Sequence, residues 1–249
     1  MSESDLPLFY TDLARWWPLI SPVEDYAEET AWARSLIERA SIDVREVLEL
    51  GSGGGHSAHH LKAHYALTLV DLSREMLNVS ERLNPECTHR QGDMRSARLG
   101  RLFDAVFLHD AIDYMTSEDD LAAVFATAWQ HCRPGGIVVA VPDHVRETFE
   151  ADEDVGGSDA PDGTGVRFME WTTDPDPDDT RIATEYAFVL RASDGTVTHC
   201  HERHETGLFP IATWVRLLEQ QGFVVTTEPE RTEEDRIPRQ AFLAHRPPS

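Results

Sequence analysis

The sequence predicts an α/β fold: a doubly wound, seven-stranded sheet with an antiparallel β layer inserted late in the chain. Three observations carry this. A buried apolar strand runs into a glycine-rich turn over Val47–Gly55. Strand and helix patterns then alternate as far as Val141, with acids at three strand tips. Beyond residue 166 runs of strand character follow one another, joined by the turn signal Ser193-Asp194-Gly195.

Taken in order, residues 7–38 hold Tyr10, Trp16, Trp17 and Trp32 ahead of the first strand, and read as a helical lid. Trp16 and Trp17 suit a lid and an ordinary core equally. Val47, Leu48 and Leu50 give a strand covered on both faces, ending beside Glu49. The glycines after it let the backbone turn sharply and approach a ligand, with helix N–H groups aimed at it. A helix over about Ser57–Ala63 leads to the strand Leu67–Val70, tipped by Asp71, and a further short segment ends in Gly92-Asp93-Met94. Phe103–Leu108 is a fourth strand, with His109, Asp110, Asp113 and Tyr114 on the loop beyond. A helix over about Glu118–Cys132 and the turn Arg133-Pro134-Gly135-Gly136 feed the strand Ile137–Val141. An acidic, Pro/Gly-rich loop is expected at about 150–165, read as a lid edge, without the ligand spacing of a calcium loop. The strands Val166–Thr172, Arg181–Arg191 and Thr196–Leu208 make the inserted layer. A helix over Ile211–Gln221 and the strands Phe223–Thr227 and Gln240–His245 complete the main sheet. One domain thus divides into a lid (1–40), a cofactor-binding core (41–145), an insertion (146–208) and a closing segment (209–249).

An acid at the second strand tip sits beside the glycine turn and can accept both hydroxyls of a ribose. Asp93 can take an exocyclic adenine amine, with Met94 covering the ring. The competing ligand is a nicotinamide dinucleotide. That pattern asks for a small residue three beyond the second glycine, where this chain has His56, and it has no use for Gly92-Asp93-Met94.

Over roughly 45–142 these signals resemble the class I S-adenosylmethionine-dependent methyltransferases, whose fold is a Rossmann-like sheet. The resemblance implies that Glu49 and the Gly51–Gly53 backbone, with Ser52, hold the methionine end, and that Asp71 holds the ribose. It places Leu72 and Met76 on the adenine, Gly92, Asp93 and Met94 at its amino edge, and His109 near the sulfonium. Tyr10 and Trp17 would close the pocket from the lid. Residues 166–225, through Thr198–Glu205 and Leu208-Phe209-Pro210, resemble the amino-sugar N-methyltransferases of antibiotic biosynthesis. One departure is evident: where that group places a candidate base histidine after the fourth strand, this chain carries Tyr114.

Composition bounds the function. The 249 residues suit one substantial core, and the net charge of −23 repels nucleic acid. No run is long and apolar enough for a membrane span. Cys87, Cys132 and Cys200, odd in number and unclustered, suit a reducing cytoplasm. Between 143 and 180 thirteen acids face two arginines, and Lys62 is the only lysine.

His199 and His201 face one way on a strand and Cys200 and His204 the other, which favours a polar wall of the acceptor pocket over a metal site; no metal is expected. His56, His60 and His64, at helical spacing, read as a solvated face. In-line methyl transfer needs a lone pair held about 3 Å from the methyl carbon, so protein work is positioning and proton handling. His109, Asp110 and Tyr114 are the candidate proton handlers, Tyr10 fixes the acceptor, and Arg167, Arg181 and Arg203 are candidate anchors for an anionic tail. N-methylation of a small molecule is the leading reading. An O-methyltransferase for an acid or alcohol, and a non-catalytic S-adenosylmethionine-binding protein, are the alternatives. The partner is a small-molecule acceptor, with a homodimer as a possible assembly.

Overall fold

The structure, a computed structural model, describes residues 6–233 and 237–248. Apolar runs form the middle of the main sheet: β1 (Glu46–Leu50), β2 (Ala66–Asp71), β4 (Phe103–His109) and β5 (Cys132–Val141), with the polar β3 (Thr88–Gln91) at one edge. Neighbours among these five are parallel, and β11 (Gln240–His245) joins β5 antiparallel, followed by β10 (Val224–Pro229). The sheet is therefore mixed, in the order β10-β11-β5-β4-β1-β2-β3. Alternation sends successive side chains to opposite faces. Leu48, Leu50, Val106 and Leu108 meet α5 (Glu118–His131) and α6 (Ile211–Gln221) through Phe125 and Trp214. Val47, Ala105, Phe107 and Val139 meet α2 (Ala27–Ile37) and α3 (His56–Leu61) through Trp32, Leu36 and Leu61. Both faces are dry, as a largely parallel sheet requires. No described helix is long and apolar enough to cross a membrane.

The insertion is a four-stranded antiparallel sheet of β6 (Asp152–Gly156), β7 (Gly165–Thr173), β8 (Arg181–Arg191) and β9 (Val197–Gly207). The described chain before α2 is a string of short turns: 3₁₀ segments at Leu8–Tyr10, Ala14–Trp16 and Val23–Tyr26, with the four-residue α1 (Trp17–Ile20) between the last two. Phe9, Leu13 and Trp16 pack on Val166, Phe188 and Leu190 of the inserted sheet, so Trp16 belongs to a core that joins lid to insertion.

Two local expectations are corrected. The acidic stretch expected as a loop contains β6, which pairs with β7 from Asp152↔Thr172 to Gly156↔Phe168. Tertiary pairing overrides the poor strand propensity of its acids, and an exposed edge suits their charge. The Arg133–Gly136 turn is absorbed as an irregularity inside β5. Phe103 pairs with Cys132 and Ala105 with Ile137, so the extra residues bulge where Gly135 takes a φ of +81°.

Candidate active site

A cavity of about 830 Å³ lies between the carboxyl ends of β1, β4 and β5, the lid and the inserted sheet. Its size falls within the range that holds a cofactor or drug-sized ligand. At one end the wall is main chain. Gly51, at φ +79°, donates its N–H to the Val70 carbonyl at 2.7 Å, and a Cβ there would strike Ala111 and Met94. Gly53 N–H donates to Asp71 Oδ2 and Ser73 N–H to Asp71 Oδ1, both at 2.8 Å. Asp71 thus ties the turn after β1 to the start of α4 (Arg74–Leu83). Burial raises its pKa, opposed by those backbone bonds.

Behind the turn, Glu49 is 3% exposed, and neither its Oε2 nor the buried Ser52 hydroxyl has a hydrogen-bond partner among the described residues. Burial, then the nearby Asp71 charge, pushes the Glu49 carboxyl up to about 8. A buried acceptor without a donor is costly, and this one lines the cavity. A buried carboxyl and hydroxyl without partners suit the ammonium of a ligand.

Trp17 comes over the turn from the lid. Its indole N–H donates to His56 Nδ1 at 2.8 Å, and a Cβ on Gly54 would collide with the indole ring. His56 is 4% exposed, and burial, followed by His59 and His60, lowers its pKa to about 4. It is therefore a neutral acceptor, which corrects the expectation of a solvated histidine stripe. The left-handed Gly55 starts α3 with His56 turned inward, His60 bonds to the Val23 carbonyl, and His64 lies beyond the end of the helix.

Across the cavity, four side chains from three distant segments form one chain of hydrogen bonds. The Tyr10 and Tyr114 hydroxyls are 2.8 Å apart, Tyr114 lies 2.7 Å from His204 Nδ1, and His204 Nε2 lies 2.9 Å from Glu202 Oε1. The same Glu202 oxygen accepts the Phe9 backbone N–H at 2.9 Å. An ionised Glu202 can only accept, so His204 carries its proton on Nε2 and accepts the Tyr114 hydroxyl at Nδ1. Tyr114 in turn accepts from Tyr10. Burial raises the pKa of Tyr10 and drives that of Tyr114 well above the ordinary tyrosine range, so both are hydroxyls.

His109, at the end of β4, stacks on Phe107 and lines the cavity. Its Nε2 is 2.9 Å from the Arg239 guanidinium and its Nδ1 3.1 Å from Asp110 Oδ1, so both nitrogens face protein groups. Arg239 also pairs with Glu29 at 2.7 Å and Asp143 at 2.6 Å. Asp110 holds a φ of +30°, and burial, then the charge of Asp143, raises its pKa well above the carboxylate range.

Of the residues singled out from sequence, the cavity wall gathers Tyr10, Trp17, Glu49, Gly51, Ser52, Gly53, Met76, His109, Asp110 and Tyr114. Asp71, Leu72, Gly92, Asp93 and Met94 lie off that wall. Met94 packs against Gly51, and the Asp93 carboxylate is held by the backbone N–H and guanidinium of Arg95. The three candidate anion anchors are not on the wall either: Arg167 pairs with Asp159, Arg181 with Glu205 and Arg203 with Glu185, all at exposed positions. The sequence reading placed His56 on a solvated face and gave Arg239, Glu29 and Glu202 no role of their own. His56 follows directly on the glycine turn and was open to recognition; the others carry no local motif.

A methyltransferase-domain family model matches residues 47–136. The chain is 33% identical over 128 residues to the dTDP-3-amino-3,4,6-trideoxy-alpha-D-glucopyranose N,N-dimethyltransferase of Streptomyces venezuelae, covering 51% of this chain and 54% of that one. It is 28% identical over 208 residues to the dTDP-3-amino-3,6-dideoxy-alpha-D-glucopyranose N,N-dimethyltransferase of Streptomyces fradiae, covering 83% and 80%. The match thus spans about half of the first relative and four fifths of the second. Among solved structures, Streptomyces venezuelae DesVI superposes with a TM-score of 0.77 at 26% identity, covering 90% of this chain and 92% of that one. The sugar N-methyltransferase KedS8 from Streptoalloteichus superposes with a TM-score of 0.75 at 25% identity, covering 95% and 92%. Residues 47–136 thus carry a methyltransferase domain, and the chain is similar in sequence and fold to sugar N-methyltransferases.

Proposed function

We propose that this chain methylates an amine nitrogen on a small, sugar-like acceptor. The observation that carries the reading is one cavity with the buried Glu49 carboxyl, whose Oε2 has no partner among the described residues, behind the glycine turn and the hydrogen-bonded Tyr10–Tyr114 pair across from it. When bound, S-adenosylmethionine supplies an electrophilic methyl group on a sulfonium. Glu49 and Ser52 would hold its ammonium, and the Gly51–Gly53 backbone its carboxylate end. Each Asp71 oxygen keeps a lone pair for a ribose hydroxyl beyond its backbone bonds. Leu72, Met76, Met94, Gly92 and Asp93 would form the adenine side.

On the acceptor side, the Tyr10 oxygen would accept an amine N–H and so aim the nitrogen lone pair at the methyl carbon. The new N–C bond would replace the methyl–sulfur bond, whose electron pair stays on sulfur, and the amine proton would then become labile. It would pass to Tyr10 while the Tyr10 proton moves to Tyr114 and the Tyr114 proton to His204 Nδ1, leaving an imidazolium paired with Glu202. His109 is a poor base in this scheme, because Arg239 occupies its Nε2. An acid acceptor would call for free cations, and Arg239 is already matched by Glu29 and Asp143. The reading needs one chain, with no homodimer required. The free cysteines are in keeping with a cytoplasmic enzyme, and the net charge of −23 argues against nucleic acid.

The test is to incubate the protein with S-adenosylmethionine and a panel of amines, amino sugars, alcohols and small acids, and to follow methyl-group mass gains. Gains on amines are expected; gains confined to hydroxyls or carboxylates would overturn the assignment.

A further inference from the structure

The acceptor half of the cavity carries a charge that selects its ligand. Beside Asp110, six acidic side chains line it from the loop after β4 to β7: Asp113, Asp143, Glu150, Asp152, Asp154 and Glu170. Among the described residues on the wall the one guanidinium is Arg239, already paired with Glu29 and Asp143. Asp113 is 4% exposed; its Oδ2 accepts the Asp143 backbone N–H at 2.7 Å, while its Oδ1 has no partner among the described residues. Arginines of the inserted sheet that would suit a phosphate are engaged elsewhere, Arg167 on Asp159 and Arg203 on Glu185.

Resting on the N-methylation reading, we propose that the acceptor is a phosphate-free small molecule bearing several amines, bound as a cation by Glu170, Asp154 and their neighbours while one neutral amine is presented to Tyr10. A nucleoside diphosphate at this end would meet carboxylates and, among the described residues, no unpaired cation, so its charge would be opposed on entry and unmatched once bound. An ammonium meets the reverse: it supplies charge-assisted donors to acceptors that lack them. Glu170 supports this independently. It stands opposite Tyr186 in the β7–β8 register, hydrogen-bonded to it, and burial pushes its carboxyl up to about 7. A neighbouring cation would return it to the ionised form.

The experiment is calorimetry on the full chain loaded with S-adenosylhomocysteine, titrated with kanamycin, a phosphate-free sugar bearing several amines, and separately with thymidine diphosphate. Kanamycin is expected to bind at least tenfold more tightly, with an affinity that falls as salt rises. The double variant Glu170→Gln with Asp154→Asn should weaken kanamycin at least fivefold and leave S-adenosylhomocysteine affinity within twofold. Thymidine diphosphate binding as tightly as kanamycin, or unchanged kanamycin affinity in the variant, would overturn this inference alone. Failure of S-adenosylhomocysteine itself to bind would overturn the methyltransferase reading and the inference with it.

Discussion

At the glycine turn the cavity wall is mostly backbone: Gly51, Ser52, Gly53 and Gly54, with Glu49 behind them and Asp71 bracing Gly53 from outside. Opposite, beneath the inserted sheet, the wall is made of side chains, and its parts come from far apart in the chain. Tyr10 and Tyr114 are separated by 104 residues, and Tyr114 and His204 by 90. On the proposed reading the first end holds the methyl donor, which stays the same whatever the acceptor. The second is free to change its acceptor without disturbing the first, because different residues build it.

Variants at the two ends should therefore fail in different ways. The largest effect is expected from Asp71→Ala, which strips the acceptor from Gly53 and Ser73 and so loosens the turn itself. With two charge-assisted bonds lost, about 3 kcal/mol, S-adenosylhomocysteine affinity should fall roughly a hundredfold in calorimetry. An affinity within threefold of the parent would remove Asp71 from the cofactor end. Tyr114→Phe should act only on the other side, lowering turnover roughly tenfold on any accepted amine. Its S-adenosylhomocysteine affinity should stay within twofold, and equal loss of both would merge the two ends. The smallest effect is expected from Trp17→Phe, which keeps the ring over Gly54 but loses the indole bond to His56. That bond is worth about 1 kcal/mol, so cofactor affinity should drop about fivefold, with faster hydrogen exchange at Gly51–Gly55. Unchanged exchange would make the lid a fixed part of the core.

The same contrast explains what was legible in sequence. The glycine turn, Glu49 and the alternation of strand and helix follow from local spacing, because a turn and its flanking strand and helix are set by adjacent residues. The acidic edge strand β6 was not legible, since its ladder bonds come from β7 and not from its own propensity. His204 was readable as a pocket wall, but its pairing with Tyr114 and Glu202 depends on the packing of three segments. Arg239 stands outside any motif and is defined only by the carboxylates the fold gathers around it. The three insertion arginines show the converse error: their charge suggested anchors, but the β8–β9 register pairs Arg181 and Arg203 with acids of those strands, and Arg167 meets Asp159 on the loop before β7.

The buried Glu49 carboxyl gives the most direct measurement. Its pKa is raised to about 8 by burial and then by Asp71, so the folded chain holds a proton that the unfolded chain releases at lower pH. Stability from this group is complete at low pH and is lost as pH rises from the ordinary carboxylate value through about 8. An ammonium placed beside it would expel the proton. S-adenosylhomocysteine titrated at pH 7 in two buffers of different ionisation enthalpy should therefore bind with release of about one proton. Glu49→Gln should bind more weakly and lose that release. No binding, or the same proton release in Glu49→Gln, would contradict the account.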